Sequence, residues 1–390
     1  MLPTVKDLLI EIKDSSELIV DLAYSALLFD SESIAEEVLD LEEKIDDLSS
    51  QLSVVAILSA RSIEDAESIS PILKIASASC KIGSAAGDIA LLVLKDFKLP
   101  KDIVNEILLE SEETIVKVKV PENSKIANKT LNDIKLHTKT GMKIIAIKRE
   151  LDWIFNPNRD TKILKGDVLV AKGDITSVPK FYKIVTGEEK EIPEESIRIK
   201  NKKLGKIVDL IINMKNLSEL AVDLSYSALV YRNEEIAQEA IYLENKIDSM
   251  KFELEELILD ASKDFEDKKT LIIFLNLANI SEIIADSARE IAEIITEKLE
   301  IHPIIKEAMN ETDEILTLAV VAEKSNLNGK TLGETKLETN TGMHVIAIKR
   351  GNEWIRKPTA KTKIYSGDLL IAKGTKEGEM LLKKLCGMSS

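Results

Sequence analysis

Three pairs of carboxylates recur at a spacing of four residues: Glu42 with Asp46, Glu244 with Asp248, and Glu282 with Asp286. That spacing is about one helical turn, so both members of a pair share one helix face. Each pair flanks an apolar seam, about 100° round the helix from it. Two such flanks turned into one groove would offer four oxygen-rich groups to one cation, a donor set suited to hard or borderline metals. The same spacing also decorates ordinary solvated helix faces, where like charges repel slightly. Arg149 and Arg350 form another recurring feature, each closing an Ile-Ala-Ile-Lys-Arg run. They are placed either to meet an anionic ligand or to serve as plain surface arginines.

Other chemistry finds little support. No G-x-G-x-x-G follows a strand and no Walker loop is present, so no dinucleotide or P-loop site is expected. His137, His302 and His344 are isolated in sequence, and His137 and His344 do not share a repeat position, since 137 + 201 = 338 is Glu338. Cys80 and Cys386 have no histidine nearby. Nucleophilic catalysis has no constellation to work with, and a non-enzymatic role is expected.

Composition narrows the class further. The chain has 390 residues, with 53 basic against 68 acidic side chains, hence 53 − 68 = −15. Such an acidic chain is a poor nucleic-acid binder, because binding by counterion release needs a basic face. Aromatic residues make up only 4%, so the cores must be built from Ile, Leu, Val and Ala. Two unrelated cysteines exclude a disulfide framework and fit a reducing cytoplasm. The longest apolar run, Leu271–Ile280, is interrupted by Asn276 and falls short of the ~20 residues of a membrane span.

The chain is a tandem repeat. Glu17, Asp21 and Tyr24 recur as Glu219, Asp223 and Tyr226, and 219 − 17 = 202. Thr140, which opens TGMKIIAIKR, recurs as Thr341, and 341 − 140 = 201, so the duplication is nearly gapless. Each copy opens with helical periodicity. One seam runs Leu8, Ile12, Ser15, Ile19, Leu22, Ala26; a second runs Ile34, Val38, Leu41, Ile45, Leu48, Leu52; a third carries Ile75, Ile82, Ala86 and Ile89. Three long seams predict an antiparallel bundle. Ser70-Pro71 reads as the start of the third helix, and Leu99-Pro100 and His302-Pro303 restart a shorter one. Gly83 and Gly87 read as a site of close helix packing. Each copy then changes character: ETIVKVKV, MKIIAIKR, Trp153–Phe155 and Asp167–Ala171 read as strands, with a short helix over Thr130–Leu136 and a last helix after Val178-Pro179.

Two family resemblances follow. EEKIDDL, ENKIDSM, CKIGSAAGDIA and SEIIADSAREIAE resemble the second and third helices of PhoU proteins. That resemblance implies a three-helix bundle and metal binding, iron, zinc or another divalent ion, through Glu/Asp-x-x-x-Asp motifs. Glu244, Asp248, Glu282 and Asp286 match in the second copy. Glu42 and Asp46 match in the first, where Cys80 and Ser84 stand in place of the other acidic pair. PENSKIANKTLNDIKLHTKTGMKIIAIKR with TKILKGDVLVAKG, and their counterparts in the second copy, resemble the TrkA C-terminal domain, also known as the C-terminal domain of regulators of potassium conductance (RCK-C). This resemblance implies small α+β domains that pair, as a homodimer or as a pseudo-dimer within one chain. It also implies a small ligand such as a cyclic dinucleotide or an ion, and a membrane cation transporter or channel as partner. The expected fold class is α+β and multidomain. PhoU-like bundles at 1–111 and 204–312 alternate with RCK-C domains at 112–187 and 313–387, and a charged linker spans 188–203. The function implied is cytoplasmic regulation of cation, chiefly potassium, transport; a metal-binding regulator of phosphate uptake is the alternative.

Overall fold

A computed structural model describes residues 3–111, 113–189, 201–263, 265, 267–356 and 358–388. In the first copy the elements are α1 (Val5–Phe29), α2 (Glu32–Ser59), α3 (Ile63–Leu94), α4 (Lys101–Glu110), β1 (Glu113–Lys119), α5 (Leu131–Ile134), α6 (Leu136–Thr140), β2 (Lys143–Arg149), β3 (Asp152–Phe155), β4 (Val168–Asp174) and α7 (Val178–Thr186). The second copy repeats them as α8 (Lys202–Tyr231), α9 (Glu234–Ala261), α10 (Lys268–Thr296), α11 (Pro303–Met309), β5 (Ile315–Val320), α12 (Leu332–Thr335), α13 (Leu337–Thr341), β6 (Met343–Arg350), β7 (Glu353–Ile355), β8 (Leu369–Gly374) and α14 (Lys376–Leu385). Most of the linker expected at 188–203 lies outside the described residues, and its last two, Lys202 and Lys203, open helix α8. The chain forms two compact units, and each takes one half from each copy: the helices α1–α4 and α8–α11 in one, the sheets with their small helices in the other.

The helices begin where capping chemistry dictates. Thr4 and Asp7 form a reciprocal capping box at α1, and Asn233 accepts the Ile236 N–H at α9. The third helix departs from its expected start. It opens at Ile63, capped by Ser62 accepting the Asp65 N–H, and Pro71 lies inside it. The proline forfeits one backbone hydrogen bond there, while burial of Ile69, Ile72, Ile75 and Ala76 keeps the helix continuous through it. The seam residues Ile12, Ile19, Ile34, Val38, Ile45, Leu52, Ile75 and Ile89 are all fully buried. Helices α3 and α10 are long and apolar enough, by length and composition, to cross a membrane. Each packs on the other two long helices of its bundle, and they pack on each other, joining the two bundles. Reciprocal contacts reinforce that join: Lys13 lies 5.8 Å from the Tyr226 ring centre and Lys215 lies 5.2 Å from that of Tyr24. These lysines are buried, and each bonds the carboxylate one turn on, Glu17 at 3.0 Å and Glu219 at 2.7 Å.

Each sheet is antiparallel, in the order β1-β4-β2-β3 and β5-β8-β6-β7. Val116 pairs with Ala171, Ile144 with Ala171, and Ile147 with Ile154, with a bulge between Ile144 and Ala146. β4 runs past the expected Ala171 to Asp174. The single short helix expected over Thr130–Leu136 is two, α5 and α6, parted by Lys135 at φ 52°. One face of the first sheet buries Val118, Ile147 and Leu169 against Ile134, Met142 and Phe181.

The two sheet domains meet through α6 and α13. At this seam Gly342 has φ +71°, and a Cβ there would lie 2.7 Å from Thr138 Cα and 2.9 Å from the His137 carbonyl. Gly367 has φ +85° with nothing near it. Both Gly→Ala changes therefore strain the backbone, but only Gly342→Ala also drives into the facing chain. Thermal unfolding should show Gly342→Ala to be the more damaging by about 2 kcal/mol or more. Equal melting temperatures for the two variants would show that the seam tolerates the intrusion.

Candidate ligand and metal sites

In the second copy the structure brings all four expected carboxylates into one groove between α9 and α10. Glu244 is almost fully buried, and its Oε1 lies 3.3 Å from Arg289 Nη1. Glu282 is paired with Lys251 across the groove. Burial pushes the Glu244 carboxyl up to about 7; Arg289 opposes this, and the neighbouring Asp248 and Asp286 reinforce it. Asp248 is raised for the same reasons, burial first, then Glu282 and Asp286. Glu244 Oε2 is buried without a hydrogen bond among the described residues. Glu244, Asp248 and Asp286 could therefore hold a cation there, which would neutralise charge that Arg289 only partly offsets. Sequence reading overlooked Arg289 and Lys251. Their counterparts, by 289 − 202 = 87 and 251 − 202 = 49, are Gly87 and Ser49.

The first copy solves the same problem with fewer charges. Glu42 is raised by burial, with Ser84 pulling it down and Asp46 and Asp88 pushing it up. Its carboxylate fills the space that a side chain on Gly87 would need: a Cβ there would lie 2.0 Å from Glu42 Oε2. Gly83 likewise admits Ile45, with 3.5 Å between its virtual Cβ and Ile45 Cδ1. Gly87 is thus the glycine that the close approach of α2 and α3 requires, whereas the distance at Gly83 is an ordinary contact. Cys80 is pushed up by burial, beside Ser49 and Asp46.

The structure gives Arg149 and Arg350 work within their own domains. Asp167, buried beside the turn at Gly166, accepts Arg149 Nε at 3.0 Å and Nη2 at 2.9 Å, and the Leu164 N–H at 2.8 Å. The same Nη2 donates to the Lys162 carbonyl at 2.7 Å. Arg350 repeats this with Asp368 at 2.8 Å for both bonds and with the Lys363 carbonyl at 2.7 Å. A buried carboxylate needs such a partner. The anionic group that the structure sets against these arginines is one of the protein's own side chains, Asp167 or Asp368.

A cluster of charges lies at the seam between the sheet domains, where sequence reading saw isolated histidines. His344 Nδ1 lies 2.8 Å from Glu338 Oε2, and His137 Nε2 lies 3.6 Å from Glu314 Oε1. Lys143 Nζ is 3.2 Å from Glu314, and Lys172 Nζ is 2.9 Å from Glu113. Burial opposes the charge on His344, but Glu338, Glu113 and Asp174 outweigh it and raise its pKa to about 10. His137, by contrast, is lowered, mainly by burial. Burial also works against Glu113, yet Lys172, His344 and Lys373 hold it down to about 2. Glu314 is depressed too, with Lys143 and Lys373 overcoming its burial. Glu338 and His344 lie six residues apart and Glu113 and Lys172 share one sheet, whereas His137 and Lys143 meet Glu314 only where the two domains pair.

Two pH dependences follow. Glu113 ionises more readily folded than unfolded, so its contribution to stability is full above about pH 4.5 and is lost as pH falls through about 2. Lys172→Gln should move the acid transition upward, read by circular dichroism along a pH titration; an unmoved transition would mean the pair is idle. Glu244 has the opposite sign, because its folded value is raised: it costs stability as pH climbs from about 4.5 through about 7. Glu244→Gln should stabilise the protein at pH 8 by on the order of 1 kcal/mol and flatten that slope. Destabilisation at pH 8 would show that its pairing with Arg289 dominates instead.

The comparisons with known proteins divide the chain along the same lines. The PhoU domain family matches residues 9–93 and 211–295, and the TrkA-C domain family matches 115–186 and 316–387. Over 85 residues the chain is 34% identical to the Ktr system potassium uptake protein C of Bacillus subtilis (strain 168), a stretch covering 21% of this chain and 38% of that one. Over 108 residues it is 28% identical to the phosphate-specific transport system accessory protein PhoU homolog of Zymomonas mobilis, covering 26% and 46%. The chain therefore spans less than half the length of either relative. Two solved structures, the GsuK channel bound to NAD and the GsuK RCK domain, overlay 82% of this chain and 65% and 79% of their own, at 12% and 13% identity. Their TM-score of 0.19 gives that overlay no weight. With both domain families matched twice, in alternation, the chain is a duplicated PhoU and TrkA-C domain protein.

Proposed function

We propose that this protein is a cytoplasmic regulator of potassium transport that acts through a membrane cation transporter or channel and performs no catalysis itself. The observation that carries the reading is the charged seam between the two TrkA-C domains. Nine-tenths-buried Glu314, Lys172 and Lys373 meet there with Glu113, His137, Lys143, His344 and Glu338. A seam held by so many compensating charges is sensitive to any ion or small ligand that alters the balance. That is what a sensing interface requires. The resemblance to a potassium uptake protein over 85 residues supports the direction of the signal. The two TrkA-C domains of this one chain form a pair through α6 and α13, the pairing that the resemblance implies.

The second reading is a metal-binding regulator of phosphate uptake. The groove of Glu244, Asp248, Glu282 and Asp286, whose buried Glu244 Oε2 has no hydrogen bond among the described residues, favours it. Cation binding there must compete with Arg289 and Lys251.

Removal of the protein from its host should change the rate of potassium uptake, measured with potassium-depleted cells, and leave phosphate uptake as it was. An unchanged potassium rate would overturn the first reading. A changed phosphate rate, with iron or zinc in the purified protein that disappears in Glu282→Gln with Asp286→Asn, would establish the second.

A further inference from the structure

Among the described residues, the seam between the TrkA-C domains holds one group with a metal-ligand composition. Asp174 at the end of β4, Glu338 on α13 and His344 on β6 each offer an atom, and these atoms all lie within 4.8 Å of one another. From these positions we infer that the three residues form a site for a borderline divalent cation such as zinc or cobalt, linking the first TrkA-C domain to the second.

Two carboxylate oxygens and one imidazole nitrogen make a donor set for zinc, cobalt, nickel or ferrous iron. Magnesium and calcium prefer oxygen alone. Asp174 and Glu338 are each already oriented by a further contact, as ligating groups generally are. The Thr176 N–H donates to Asp174 Oδ1 at 2.7 Å, and the Thr176 hydroxyl bonds the same oxygen. The Asp174 N–H donates to Glu338 Oε1 at 3.3 Å. The Glu338 side chain passes over Gly141, where a Cβ would lie 2.7 Å from its Cγ. His344 turns Nδ1 to Glu338 Oε2 at 2.8 Å, so a bound ion would take the place of the proton now shared between them. Three protein ligands leave a coordination position for water or a further group, the mark of an exchangeable site.

The opposite half of the seam shows why the site is single. The repeat places Thr375, His137 and Lys143 where Asp174, Glu338 and His344 stand, by offsets of 201. Lys143 brings a permanent cation to Glu314 there. One half of the seam is thus closed by a lysine ammonium, and the other by a histidine whose proton a metal can replace.

This assignment gives a ligand class to the sensing interface proposed above and takes its regulatory meaning from that reading; the binding itself does not depend on it. The metal-stripped full-length protein, titrated with cobalt or zinc against a chromophoric chelator, should bind one ion at this site. His344→Asn, Glu338→Gln and Asp174→Asn should each weaken it by about tenfold or more. Glu244→Gln and Glu282→Gln, in the helical groove, should leave it unchanged. The visible spectrum of the cobalt form should lose its nitrogen ligand in His344→Asn. Circular dichroism checks that each variant folds; should His344→Asn fail, Asp174→Asn at the end of β4 carries the test. Binding that survives all three seam changes, or that vanishes only with the groove variants, overturns the site. Such a failure would leave the potassium reading standing, since uptake by cells with and without the wild-type protein decides that separately.

Discussion

Buried charge along the TrkA-C seam is the constraint on which much else depends. Lys172 and Lys373 lie on the central strands β4 and β8, each 8% exposed. Taking such groups out of water is costly unless an opposite charge meets them. Glu113 on β1 and Glu314, the residue before β5, supply it. A one-residue slip in either sheet would turn these side chains to the other face. Within the first sheet the Glu113–Lys172 pair thus fits only the observed register, and across the seam Glu314 meets Lys143 and His137 of the other domain. Gly141 and Gly342 follow from this, because the helices α6 and α13 come close enough that neither position has room for a side chain.

The helical grooves obey the same accounting of charge. Between the copies, Cys80 and Ser84 become Glu282 and Asp286, two added acids; Ser49 and Gly87 become Lys251 and Arg289, two added bases. The core of the groove keeps a net of −2 either way, as Glu42 and Asp46 alone or as four acids less two bases. Lys251 neutralises Glu282, and Arg289 lies against Glu244. The two acids that the second groove has beyond the first are thus matched within it by two bases.

What the sequence disclosed follows from what is local. The apolar seams of the helices, the capping residues and the alternating strands all concern neighbours within a few residues, and they emerged close to their expected places. The exceptions are instructive. Ser70-Pro71 looked like a helix start, but Ser62 has the cap and the apolar face continues through the proline. Arg149 and Arg350 looked available to a ligand, because Asp167 and Asp368, each 18 residues away, meet them only once the sheet closes. The histidines looked isolated for a stronger reason. The pair that joins His137 to Glu314 spans 177 positions and exists only where the two copies meet. Glu338 standing at the repeat position of His137 was visible in the sequence, and in the structure it marks the place where the seam ceases to be symmetric.

That asymmetry is available only to a tandem chain. In a homodimer every substitution appears on both sides of the axis, so an acid placed opposite a histidine is matched by its twin. Here the halves have diverged independently. The first TrkA-C domain carries Asp174 but has His137 and Lys143 at the other ligand positions; the second carries Glu338 and His344 but has Thr375 in place of the aspartate. Neither domain paired with a copy of itself could assemble an Asp-Glu-His triad. The helical unit also joins its halves reciprocally, with buried Lys13 beside the ring of Tyr226 and buried Lys215 beside that of Tyr24. Joining the halves in one chain fixes their stoichiometry at one to one, which a seam with two different ends requires.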